Sequence, residues 1–122
     1  MTDSVRPLVS VFIPAYNAPE YTKLTIESVA RQSYRPIELI VSDDCSPTSL
    51  EPLVASARSF EAEDFTIRYF RQARNLHFDN IIFGFDQCTG DYVVQMPHDD
   101  WWTCLLYTSD AADRYRDYSR EY

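Results

Sequence analysis

Short apolar runs alternate with longer amphipathic stretches along most of this chain. Leu8-Val9-Ser10-Val11-Phe12-Ile13 is β-branched and apolar, is stopped by Pro14, and predicts a strand. Pro14-Ala15-Tyr16-Asn17 is then the loop at its carboxyl end. A helix is expected over residues 18–32, with Leu24, Ile26, Val29 and Ala30 supplying most of its apolar face. Pro19 suits the first turn of that helix and Glu20 its positive dipole end. Tyr34-Arg35-Pro36 breaks it, and Ile37-Glu38-Leu39-Ile40-Val41 predicts a second strand that runs into the acid pair Asp43-Asp44. Cys45-Ser46-Pro47-Thr48 has turn and N-cap chemistry, leading to a second helix over 49–59. A third strand is expected over 65–70, a loop at Asn75-Leu76-His77, and a third helix over 80–88 with Gly90 as its C-cap. The run 91–96 reads as a buried fourth strand and delivers a second acid pair, Asp99-Asp100.

Strands alternating with helices of this length predict right-handed βαβ units: an α/β fold with a doubly wound, mostly parallel, Rossmann-like sheet. Three polar loops then share one rim, at residues 14–17, 43–46 and 98–102. In such sheets ligands bind beyond the carboxyl ends of the strands. Adjacent carboxylates repel, and at a strand end they suit a hard divalent cation, although a solvated turn uses the same residues.

Composition narrows the chemistry. With 122 residues the chain is one domain or less, and 45% hydrophobic residues are enough for a core. The formal charge of −8 argues against a nucleic-acid surface, but a helix N-terminus or a metal can still hold phosphate locally. The two glycines, Gly84 and Gly90, cannot make a dinucleotide-binding or P-loop motif. A phosphoacceptor receiver domain would need a late lysine, and Lys23 in the first helix is the sole lysine. Cys45, Cys88 and Cys104 lack metal-ligand spacing and read as reduced thiols. No secretory signal and no bilayer-spanning run is visible, so a cytoplasmic location is expected.

Several stretches, in order, resemble the family 2 glycosyltransferases of the GT-A fold: Val9-Ser10-Val11-Phe12-Ile13-Pro14-Ala15-Tyr16-Asn17, Ser28-Val29-Ala30-Arg31-Gln32-Ser33-Tyr34, Glu38-Leu39-Ile40-Val41-Ser42-Asp43-Asp44-Cys45-Ser46, Gly90-Asp91-Tyr92-Val93-Val94 and His98-Asp99-Asp100. The resemblance spans roughly residues 9–102. It implies a sheet with strand one between strands two and four, and a nucleotide in the crevice beside strand one. Pro14, Ala15, Tyr16 and Asn17 would line base and ribose, with Tyr16 as a stacking surface. Asp44 would accept a hydrogen bond from the N–H of uracil or thymine. Asp100 would ligate Mn²⁺ or Mg²⁺, and Asp99 would contact the ribose or support the metal. The implied activity is inverting transfer from a UDP- or dTDP-sugar to an acceptor glycan or lipid-linked sugar, in cell-wall or polysaccharide biosynthesis.

The family's general base falls beyond the last residue here, so no catalytic residue is named and no transfer is expected from this chain alone. The expected organisation is a truncated GT-A donor-binding portion, its amino-terminal half, over 1–102, and a divergent or non-native tail over 103–122. A catalytically silent nucleotide-binding fragment and a ligand-free α/β interaction module are the alternatives. Two family glycines are replaced, by Cys45 after the first acid pair and by His77 before the third helix. A glycine at such places allows positive φ or close approach, which leaves the loop geometry open. Arg71 and Arg74 read as surface arginines, His98 as a hydrogen-bonded neighbour of the acids, and Trp101 and Trp102 as either sugar-stacking or packing groups.

Overall fold

A computed structural model describes residues 6–96. The elements are β1 (Val9–Ala15), α1 (Pro19–Ala30), β2 (Ile37–Asp43), α2 (Glu51–Ala57), β3 (Phe65–Arg71), α3 (Phe78–Gln87) and β4 (Tyr92–Gln95), with a 3-10 turn at Arg58–Phe60 after α2. All strand pairs are parallel and the sheet order is β3-β2-β1-β4. The chain steps twice in one direction, then crosses back over β1 to β4. Right-handed crossovers therefore put α1 and α2 on one face and α3 on the other. That reversal makes the carboxyl end of β1 the topological switch point.

The expected strand and helix order holds throughout, and the boundaries moved for identifiable reasons. Pro14 does not stop β1; the strand continues through Ala15. Phe12 offers its carbonyl to Met96 on the β4 side, whereas Ala15 offers its carbonyl to Asp44 on the β2 side. Alternation turns Pro14 toward the β4 side, past the Phe12↔Gln95 pair that ends that ladder, so its missing N–H costs no bond to β2. Leu24 is not on the buried face of α1: it is 47% exposed, while Thr22 and Thr25 are buried beside Ile26, Val29 and Ala30. Gly90 is not a left-handed C-cap, since no glycine has positive φ. Its need for glycine is steric: a Cβ there would sit 2.7 Å from the Leu8 carbonyl oxygen and 2.8 Å from the Ser10 nitrogen.

The core lies mainly between the sheet and α1/α2. Val9, Val11 and Ile13 of β1 are fully buried, with Leu39 and Val41 of β2 and Ile26 and Val29 of α1 in the same cluster. Each such side chain contributes about 1.5–3 kcal/mol of burial. Every residue of β2 is buried, as expected for an inner parallel strand covered on both faces. On the α3 face, Phe12 packs against Phe85 with ring centroids 5.7 Å apart. It also fills the space over Gly84, where a Cβ would come within 1.9 Å of the Phe12 ring. Among the described residues no helix is long and apolar enough to cross a membrane.

Candidate active site

Parity along β2 decides what each rim acid does. Asp43 shares its face with Ile37, Leu39 and Val41, so its carboxylate enters the α1/α2 layer and is fully buried. Its Oδ1 accepts the backbone N–H of Ser46 at 2.9 Å and the Ser46 hydroxyl at 2.6 Å. Its Oδ2 accepts the Tyr69 hydroxyl at 2.8 Å and the Leu50 N–H at 3.2 Å, and the Arg71 Nε lies 3.5 Å away. Burial pushes this carboxyl up, but the bonds from Ser46, Tyr69 and Leu50 outweigh it and hold it below its ordinary value of 3.8. Burial, then the hydrogen bond to Asp43 and its charge, push the Tyr69 phenol up to about 12. Asp43 is thus the internal brace of the β2 rim loop. Arg71, expected as a loop arginine, is the last residue of β3; it pairs with that brace and donates to the Ser46 carbonyl.

Asp44, one residue on, lies beyond the strand and reaches the loop before α3. Its Oδ1 accepts the Leu76 N–H at 2.6 Å and its Oδ2 the His77 N–H at 3.0 Å. The Asn75 side-chain amide donates to the Asp44 carbonyl. Asp44 is 8% exposed, and each carboxylate oxygen keeps a second lone-pair direction after one backbone bond. The β1 loop closes onto the same place: Asp44 N–H donates to the Ala15 carbonyl and Asn17 N–H to Ser46 Oγ, both at 2.9 Å. Pro14 is half-buried, Ala15 buried, and Tyr16 at 43% and Asn17 are exposed on the rim. Behind it, the buried Asn80 exchanges bonds with Ser42 at the start of α3.

The structure therefore brings Pro14, Ala15, Tyr16, Asn17 and Asp44 together. Asp99 and Asp100, with His98, Trp101 and Trp102, lie outside the described residues. Among the described residues no three His, Cys, Asp or Glu side chains could hold a metal, and Asp43 is committed to its donors. The brace of Ser46, Tyr69 and Arg71 and the grip of Asn75 on Asp44 were not foreseen. The usable signal was the turn chemistry at Ser46 and the polar residue at 75.

Both replaced glycine positions carry positive φ: 60° at Cys45 and 56° at His77. His77 has ψ −121°, the conformation of a first central residue in a type II′ turn, closed by the bond from Asp79 N–H to the Leu76 carbonyl. A β-carbon is strained there by roughly 1–3 kcal/mol, which glycine relieves at an entropic cost of about 0.5–1 kcal/mol. His77→Gly is expected to stabilise the domain by about 1 kcal/mol, read as a higher urea midpoint at unchanged slope. A lower midpoint would show that the imidazole makes a compensating contact.

An open parallel sheet whose polar loops converge at the switch point beside β1 places a ligand-binding crevice beyond the carboxyl ends of its strands. The profile of Glycosyl transferase family 2 matches residues 10–105, and the chain belongs to that family. It is 30% identical over 99 residues to a GalNAc(5)-diNAcBac-PP-undecaprenol β-1,3-glucosyltransferase of Campylobacter jejuni, covering 77% of this chain and 30% of that one. Its fold matches Staphylococcus aureus TarS 1–349 in complex with UDP, with a TM-score of 0.75 and 23% identity over 91% of this chain and 32% of the other. It also matches the mannosyltransferase PcManGT of Pyrobaculum calidifontis in complex with GDP-Man and Mn²⁺, with a TM-score of 0.74 and 20% identity over 84% of this chain and 30% of the other. The fold is accordingly that of the amino-terminal part of the GT-A type. The chain spans well under half the length of the curated relatives it matches.

Proposed function

We propose that this chain is the donor-binding part of an inverting glycosyltransferase that takes sugar from a UDP- or dTDP-sugar with help from Mn²⁺ or Mg²⁺. The observation that carries the reading is the convergence of the β1 loop, the β2 loop and the loop before α3 on Asp44, beside exposed Tyr16. The backbone N–H groups of Leu76 and His77 hold the Asp44 carboxylate in orientation, and its remaining lone pairs accept the N–H of a pyrimidine base. Tyr16 offers a ring face for that base, and Pro14, Ala15 and Asn17 bound the pocket on the β1 side. Asp100, with Asp99 beside it, would hold the cation, which neutralises charge on the departing nucleoside diphosphate. The relatives' names and bound molecules support this choice: UDP with TarS, Mn²⁺ with PcManGT, and a lipid-linked acceptor in the name of the Campylobacter enzyme. A lipid-linked sugar is the proposed acceptor class.

Asp44→Asn tests the base contact with little change in volume. An amide cannot accept from Leu76, His77 and a ligand on both of its termini. Hydrogen bonds to charged groups contribute about 1.5–3 kcal/mol, so UDP affinity is expected to fall roughly 10- to 100-fold in calorimetric titration. Unchanged affinity in a variant with native circular dichroism would remove Asp44 from the site.

A further inference from the structure

The opposite end of the sheet holds a buried carboxylate that the nucleotide site does not use. Glu38, the second residue of β2, is 7% exposed and shares the α3 face with Ser10 of β1 and Arg68 of β3. Its Oε2 accepts the Ser10 hydroxyl at 2.7 Å and the Thr89 N–H at 2.8 Å. Its Oε1 accepts the Thr89 hydroxyl at 2.8 Å and lies 3.4 Å from Arg68 Nη1. Ser10 Oγ in turn accepts the Gly90 N–H at 2.8 Å, and Arg68 donates to the Gln87 carbonyl at 2.8 Å. One carboxylate thus ties three strands to the connection between α3 and β4.

β4 is short; besides its ladder to β1, it is held by Tyr92 and Val94 packed against the core and by the buried Met96 just beyond it. It is four residues long, and its burial alternates between half-buried and exposed. Among the described residues it pairs with β1 alone. Side chains alternate along a strand, so a slip of one residue would exchange its two faces and displace its carboxyl end. The remaining anchors at its start are the Leu8 carbonyl, which accepts from Asp91 and Tyr92 N–H, and a solvent-exposed bond from Leu8 N–H to the Asp91 carboxylate. Backbone bonds of this kind can re-form after a slip. The side-chain grip on Thr89 and Gly90 cannot, because its geometry belongs to one register.

We propose that Glu38 is a positioning residue for the rim: by gripping Thr89 directly and Gly90 through Ser10, it fixes where β4 begins along β1 and hence where its carboxyl end meets the nucleotide loops. The consequence for ligand rests on the nucleotide reading above, whereas the consequence for β4 stands without it.

Glu38→Gln keeps the side-chain volume but turns an amide NH₂ toward the Thr89 donors; Thr89→Val removes one hydroxyl and keeps the shape. Native-state hydrogen exchange is followed over residues 89–96 and over the β2–β3 ladder, and UDP affinity is titrated in parallel. Loss of one to two charge-assisted bonds, each about 1.5–3 kcal/mol, predicts exchange over 89–96 faster by about tenfold or more in Thr89→Val and by more still in Glu38→Gln. The amides of Leu39–Val41 and Ile67–Tyr69 should keep their wild-type rates, and UDP affinity should fall in step with the loosening of β4. Equal acceleration across the whole sheet would show a merely structural group, and wild-type rates over 89–96 would show that other anchors suffice; either overturns the proposal. If Glu38→Gln fails to fold, Thr89→Val decides the matter alone. If wild-type protein binds no UDP, the nucleotide reading fails and the exchange rates still judge Glu38.

Discussion

Asp43→Ala is expected to destabilise the domain by about 4 kcal/mol or more, since each buried donor left without its acceptor costs roughly 1–3 kcal/mol. The stranded groups are the N–H groups of Ser46 and Leu50 and the hydroxyls of Ser46 and Tyr69. Few single changes in this fold orphan as many groups, because this carboxylate joins the end of β2, the entry to α2 and β3. Arg71 would lose its partner too, but it is partly solvated and contributes little to the sum. Equilibrium urea unfolding reads the effect as a lowered midpoint, and a loss under about 1 kcal/mol would show the loop to be held by other means. Acid should partly reproduce the variant. The Asp43 carboxyl is depressed in the folded state, so its stabilisation is fully present above its ordinary value of 3.8 and is lost as pH falls through the lower folded value. The wild-type urea midpoint should therefore fall through that window more than that of Asp43→Ala.

Ile13→Asp is expected to abolish folding. Ile13 is fully buried in the central strand, paired with Val41 and packed in the layer that holds Ile26 and Val29. Removing a buried isoleucine's apolar bulk costs about 2–5 kcal/mol, and an unpartnered carboxylate in the same space costs several more. Together these reach the roughly 5–15 kcal/mol that stabilises an ordinary domain. Far-UV circular dichroism should lose its native signal, whereas Ile13→Val, costing about 0.5–1.5 kcal/mol, should unfold cooperatively near the wild-type midpoint. A cooperative transition in Ile13→Asp would show that β1 is not the centre of the sheet.

Periodicity carried most of the fold. The alternation of apolar runs with helical stretches predicts the parallel sheet, whereas the place of β1 between β2 and β4 followed from the family resemblance. What periodicity could not supply was the identity of buried polar groups. Leu24 reads as core on hydrophobicity alone, yet threonines take the inner positions of α1 and leave Leu24 at the surface. The pair Asp43-Asp44 shows the same limit at the site. Residue type and spacing leave the two acids equivalent, and only the family resemblance singles out Asp44. The pleat of β2 sends one inward as a brace and releases the next toward the rim, and that division appears only once the strand's end is known to lie at Asp43.

The departures from family glycine were more informative than the matches. Cys45 and His77 both carry positive φ, so the two loops hold a shape that glycine would adopt without strain. That shape aims the Leu76 and His77 N–H groups at Asp44. The Gly90 requirement, in contrast, comes from the close approach of Leu8 and Ser10, a tertiary contact between residues about eighty apart that no local pattern encodes.

The central claim is that the rim around Asp44 binds a nucleoside diphosphate with a divalent cation. Calorimetric titration of UDP into the wild-type chain, once with Mn²⁺ and once with EDTA, tests it most directly. Saturable binding with Mn²⁺ that weakens at least tenfold in EDTA is the predicted result, because about 1.4 kcal/mol of charge neutralisation already gives that factor. Equal affinity in the two buffers would remove the cation from the account, and no binding in either would contradict the nucleotide site itself.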